Sequence, residues 1–272
     1  MNTLKNHLIL YDAECPMCSL YTKAFVNTGL LEESGRAAYQ ETPEAACPLI
    51  DRQRAVNEIA LVNRATGEVS YGIRSLFKIF SVAIPAFKPV FEFAPLIWVM
   101  TRVYAFISYN RRVIIPAADE QYAYQPTFKL NYRIAYLLFT WAITGYILTA
   151  YVQLIDGLLP VGASYREYLV CGGQVFFQAL VISIIAKTKK WAYLGNMMTI
   201  SFAGALLLLP GLIIAACFNL PPLFYVCYFM GVAGLMLLEH IRRTRLLKLD
   251  WALTISWVSY RLLVLLLIFL TR

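Results

Sequence analysis

The stretch LILYDAECPMCSLYTKAF, Leu8 to Phe25, sets Cys15 and Cys18 two residues apart directly after a short apolar run. HLILYDA, residues 7–13, is an apolar run bounded by polar residues and reads as a buried strand. A helix is expected from about Pro16 to Asn27. Proline suits a first helical position, Leu20, Tyr21, Phe25 and Val26 give an apolar stripe, and Gly29 supplies a stop. Cys15 then sits at a helix N-terminus, where unpaired backbone N–H groups and the helix dipole favour negative charge. Cys18 lies one turn on and faces the same way. Thiols so placed titrate at about 3.5–7.5, against about 8.5 for free cysteine. Glu14 sets a negative charge beside Cys15, so only a modest depression is expected. Asp12, at the strand end, is a candidate acceptor for the Cys18 proton, provided burial raises its own pKa. Tyr11, Pro16 and Met17 flank the pair as supporting residues.

Three readings of the pair compete. In the first it is a redox dithiol: one thiolate attacks a disulfide, and the second thiol resolves the mixed disulfide. The second is metal capture. Structural zinc wants four ligands, and a second CxxC is absent from the sequence. Cys47 and His7 are the residues that would complete a set, but His7 starts the strand that Cys15 follows, roughly 25 Å away when extended. Capture of Cu(I) by two thiolates needs no further ligand, and Met17 is a soft neighbour. The third reading is a fold that keeps inert cysteines. No resident metal or other cofactor is expected.

Downstream, RAAYQ (36–40) is a weak second strand, and EIALVNRATGEVSYG (58–72) reads as a hairpin turning at Ala65-Thr66-Gly67. IRSLFKIFSVA (73–83) is amphipathic and helical. After Pro85 and Pro89, another helix is expected from near Pro95 to Tyr109. The order β-α-β-ββ-α, with CxxC at the end of the first strand, is that of a thioredoxin-like domain. Over about residues 6–115 the chain resembles the DCC family of predicted thiol–disulfide oxidoreductases, named for an Asp-x-x-Cys-x-x-Cys motif, here Asp12, Cys15 and Cys18. YGIRSLFKIF resembles the family's second helix. VYAFISYNRR (103–112) resembles its closing segment, with Tyr104, Asn110 and Arg111 at the characteristic places. The resemblance implies disulfide exchange with protein or small-molecule thiols, with Tyr104 and Arg111 in support. Two positions depart from pattern: Ala13 stands where the family usually has Gly, and Ala55-Val56-Asn57 where thioredoxins place a proline opposite the cysteines.

The second half is of another character. Of the 272 residues 60% are hydrophobic and 15% charged. Residues 1–130 hold 13 Lys/Arg and 12 Asp/Glu, whereas residues 131–272 hold 11 and 4, so the net charge of +8 comes almost entirely from the second half. No basic face on a soluble domain results, which tells against nucleic acid as a partner. The apolar run Leu8–Tyr11 is too short for a secretory signal. Uncharged or nearly uncharged runs mark five spans at about 134–155, 168–186, 191–217, 221–238 and 251–270, each near the roughly 20 residues a bilayer demands. The links KTKK and EHIRRTRLLKLD carry seven Lys/Arg, while the other two links carry Arg166 alone. The bias sets those basic links, and with them the N-terminal domain, on the cytoplasmic side, and the C-terminus outside. Arg111, Arg112, Lys129 and Arg133, ahead of the first span, are of the same sign.

The expected protein is therefore an α/β thioredoxin-like cytoplasmic domain, 1–130, joined to an all-α membrane bundle, 131–272, in the inner cell membrane. Its partners would be thiols or disulfides, the bilayer and a membrane-bound protein. The rival readings are a transporter or a lipid- or metal-handling protein whose CxxC domain senses or delivers, and a structural adaptor. Arg261, mid-way along the last span, is a membrane functional candidate because charge is costly there. Cys171, Cys217 and Cys227 invite a thiol relay, though cysteine is also simply a small, easily buried residue in membrane helices. Pro210-Gly211 inside the third span marks a kink or, on the transport reading, a broken helix.

Overall fold

A computed structural model describes residues 2–42, 50–116, 125–160 and 162–270. Cys47 lies outside the described residues. The chain divides into two units, Met1–Tyr132 and Arg133–Arg272.

The first unit is built on β1 (His7–Tyr11), α1 (Pro16–Asn27), β2 (Arg36–Ala38), α2 (Arg52–Asn57), β3 (Ala60–Asn63), β4 (Val69–Tyr71) and α3 (Ile73–Ala83). The one-turn α4 (Lys88–Phe91) and the long α5 (Ala94–Ile114) follow. The four strands form one mixed sheet in the order β2-β1-β3-β4. β1 runs parallel to β2, with Ile9 opposite Arg36, and antiparallel to β3, with Ile9 opposite Leu61. The HLILY run is apolar throughout because β1 is covered on both faces. Alternation sends Ile9 to one side, with Phe25, Leu31, Leu61 and Ile79. Leu8 and Leu10 go to the other, with Tyr39, Val56 and Val62. The β3–β4 turn forms at the expected residues: the Asn63 side chain accepts from the Ala65 and Thr66 amides, and Gly67 takes φ +74.

α1 occupies the expected residues, but its buried face is Cys18, Thr22 and Phe25. Leu20 is 68% exposed, so it does not belong to the core stripe. At 100° per residue it points about 200° away from Cys18. The strand expected over 36–40 runs only to Ala38; the Tyr39 amide still donates to the Tyr11 carbonyl at 3.0 Å while its side chain joins the core. α2, one residue over a turn and a half, carries no periodic signal to read. Its Asp51 cap accepts from the Arg54 amide, and Ala55 and Val56 are buried beneath the sheet.

The second unit is made of α6 (Leu130–Val152), α7 (Arg166–Ile185), α8 (Lys190–Cys217), α9 (Pro222–Leu246) and α10 (Ala252–Leu270). All five helices are long and apolar enough to cross a membrane, which points to a membrane protein. One feature differs from expectation: α9 continues eight residues beyond Leu238, so HIRRTR is helix and not loop. α8 runs unbroken through Pro210, so the broken-helix alternative is not what forms. Gly211 lets the Tyr151 ring lie against the backbone there, where a Cβ would meet Cε2 at 3.0 Å.

Candidate functional site

Cys15 and Cys18 come together at the C-terminal end of β1. Cys15 is the N-cap of α1, and its Sγ accepts from the Cys18 amide at 3.3 Å. Its own amide donates to the Asp12 carbonyl at 3.0 Å, which closes the turn after the strand. Pro16 holds the first helical position and is exposed, and Met17 is half-buried beside it. Tyr11 is half-buried under the Arg36 guanidinium, 4.5 Å from the ring centroid. Both sulfurs are covered: Cys15 is 0% and Cys18 2% exposed.

A buried ion pair lies under the cysteines. Arg111, on the last turns of α5, donates to Asp12 Oδ2 at 2.9 Å, with both side chains under 5% exposed. Its guanidinium also donates to the carbonyls of Val56 and Asn57 and to Ser108 Oγ. Asp12 receives three more donors: Gln40 Nε2 at 2.9 Å and the Glu14 amide at 3.1 Å on Oδ1, and Arg112 at 3.5 Å on Oδ2. Arg112 reaches Glu14 at 3.2 Å as well, and Gln125 donates to the same Glu14 oxygen at 3.0 Å. Both Asp12 oxygens are therefore occupied by donors. Among the described residues its hydrogen bonds go to these donors and none to a sulfur.

The two thiols are driven apart. Cys15 is brought down to about 7, first by the hydrogen bond from the Cys18 side chain, with the Arg111 charge and the Cys18 amide adding to it. Burial and Asp12 oppose that shift without cancelling it. Cys18 is pushed well up, because it gives its proton to that hydrogen bond and because it is buried. Arg111 stays firmly cationic: burial works against its charge, but Cys18, Cys15 and Asp12 together outweigh burial. Tyr104 holds the helix that delivers Arg111. Its hydroxyl accepts from the Ile59 amide at 3.1 Å, and burial pushes its own ionisation up.

Sequence reasoning found Asp12, Cys15, Cys18, Tyr104 and Arg111. It missed Gln40, and it assigned Arg112 to membrane orientation. Arg111 and Arg112 lie in α5 and are engaged by Asp12 and Glu14. Arg133 likewise donates to the Trp191 carbonyl at 2.6 Å. The adjacency of two arginines in the last turns of a largely apolar helix was the available signal. Among the described residues, no three His, Cys, Asp or Glu side chains converge to hold a metal ion.

In the second unit several buried polar residues are linked. Tyr193 donates to Gln178 Oε1 at 2.9 Å and lies 3.2 Å from His240 Nε2, while Thr254 approaches His240 Nδ1 at 3.3 Å. Trp257 stacks on His240 at 4.8 Å, and Arg261 lies over Trp257 at 3.8 Å. Arg243 donates to Asn196 Oδ1 at 2.9 Å and pairs with Glu239 at 2.7 Å. Cys171 is half-buried, and Cys217 and Cys227 are exposed.

Comparison with protein-family models, with curated proteins and with solved structures gave no match.

Proposed function

We propose that the protein is a membrane-tethered thiol–disulfide oxidoreductase whose working pair is Cys15 and Cys18. The observation that carries the reading is the unequal pair itself: an N-capping thiol lowered to about 7 beside a partner that keeps its proton. A β-α-β-α-ββ-α order, with CxxC between the first strand and its helix, supports a thioredoxin-like and DCC-like assignment of the first unit.

In the proposed reaction the Cys15 thiolate forms a bond to one sulfur of a substrate disulfide, and the other sulfur leaves as thiolate. That leaving thiolate takes the Cys18 proton. Cys18 then attacks the Cys15 sulfur, an internal disulfide forms, and the second substrate sulfur leaves and is protonated by water. The substrate gains two electrons and the pair loses two; the reverse sequence oxidises a dithiol. Arg111 steadies the thiolate. Asp12 positions Arg111, a more modest part than proton acceptor for Cys18. Because both sulfurs are buried, the substrate reaches Cys15 only after a local opening at the site.

The basic links Lys187–Lys190 and Arg242–Lys248 favour the first unit on the cytoplasmic side of the cell membrane and the C-terminus outside. A transporter is the second reading, and the chain Gln178–Tyr193–His240–Thr254 favours it, since linked polar groups buried between apolar helices commonly line pathways.

The test is a thiol-trapping titration of the full-length protein in thiol/disulfide buffers with metal chelated. A reversible two-electron transition that Cys18→Ser abolishes is expected. Failure to form a Cys15–Cys18 disulfide at any poise would sink the proposal.

A further inference from the structure

Residues 84–103, IPAFKPVFEFAPLIWVMTRV, hold three charges, Lys88, Glu92 and Arg102. Their apolar side chains would be core residues in an ordinary soluble domain. Instead Phe87, Val90, Phe93, Trp98, Val99 and Val103 are each between 41% and 64% exposed. They are presented on a built scaffold. Pro85–Phe91 meets α5 at an 82° bend. Phe91 turns inward and pins the bend to α3, with its ring 5.1 Å from Phe77 and 6.3 Å from Phe80. Six exposed large apolar side chains on one short arm mark an interaction surface.

A groove of about 480 Å³ adjoins the patch and shares Trp98 and Arg102 with it. Its charged lining is Arg74, Arg102, Lys129 and Glu58. Glu58 is already engaged by Arg54 at 3.6 Å. Arg102 lies over the Trp98 ring at 5.7 Å, and the Lys129 ammonium over Tyr109 at 4.4 Å. Three cations against one engaged carboxylate make the groove a place for an anion.

We propose that the bent arm 84–103 and this groove form a bilayer-docking face. Phe87, Val90, Phe93, Trp98, Val99 and Val103 enter the boundary between headgroups and acyl chains, and Arg74, Arg102 and Lys129 take the phosphate of an anionic phospholipid. Three things on this chain select a bilayer over a protein partner. Five membrane-length helices follow, the first only fifteen residues after α5 ends. Aromatic side chains flanked by cations match the chemistry of a membrane interface. The charge of the groove complements an anionic leaflet. The inference stands apart from the dithiol chemistry.

The test places the photo-crosslinking residue p-benzoylphenylalanine at Phe93 or Val99 of the full-length protein. The protein is held in nanodiscs of phosphatidylcholine with or without phosphatidylglycerol, and adducts are read by mass. Phospholipid adducts are expected at both positions and not at Lys23, an exposed position on α1. With phosphatidylglycerol present, adducts at Val99 should favour that lipid over its mixing ratio. Arg102→Gln and Lys129→Gln should each reduce the preference by about fivefold. Adducts to a second copy, adducts to residues 133–272 of the same chain, or no adduct would each overturn docking. Adducts that track the mixing ratio and ignore both substitutions would overturn the headgroup site.

Discussion

At the scale of single residues the site is an arrangement around one buried charge. Arg111 satisfies Asp12, ties down the Val56 and Asn57 carbonyls, and lends its charge to Cys15. Arg111→Met strands the Asp12 carboxylate among buried groups and should cost about 3–5 kcal/mol. It should also raise the Cys15 pKa. Thermal unfolding in nanodiscs and the pH profile of thiol alkylation read the two effects separately. A thermal midpoint equal to that of the native protein would deny Arg111 its structural role. In the native reduced protein the thiolate is lost as pH falls through about 7. Alkylation of Cys15 should therefore be about tenfold slower at pH 6 than at pH 8 and nearly flat above that. A rate still climbing steeply toward pH 9 would mean that Cys15 is an ordinary thiol. The motif residues Asp12, Cys15 and Cys18 were legible because they sit together in sequence. Gln40 was not, since it meets Asp12 only once β2 lies parallel to β1, and nothing local announces that pairing. Glu14 looked unfavourable in sequence, and its pairing with Arg112, 98 residues away, removes most of the conflict.

Elements of regular period were the most readable part of the fold. α1, α3 and the β3–β4 hairpin lie where apolar spacing and turn residues put them. α2 and α4 are short, and their positions follow from what they cover: Val56 closes the sheet, and Phe91 packs on α3. The junction between β4 and α3 depends on Gly72, at φ +59 and ψ −132, a region other residues enter at a penalty of about 1–3 kcal/mol. A Cβ there would also meet Glu58 Oε2 at 3.0 Å and Tyr104 Cε1 at 3.3 Å. Gly72→Ala should therefore destabilise the protein by about 1–3 kcal/mol, measured as a lower thermal midpoint. No change in that midpoint would show that the junction relaxes freely.

For the molecule as a whole, five spans could be counted from charge-free runs because hydrocarbon tolerates so little else. The partners of polar residues within those spans could not. His240 stood in a basic stretch that resembled a loop, yet α9 carries it to Tyr193 and Thr254. The proposed orientation has a simple check. Cys217, exposed at the end of α8, should react from outside intact cells with a membrane-impermeant maleimide. Labelling only after permeabilisation would invert the topology.

One helix joins the two ends of the first unit. α5 spans 21 residues, a rod of about 31 Å. Its first half is the uncovered apolar arm, and its last turns carry Arg111 into the charge beneath Cys15. A rod cannot be tilted at one end only. The same continuous helix therefore carries both the exposed apolar arm and the guanidinium whose charge helps to lower the Cys15 thiol.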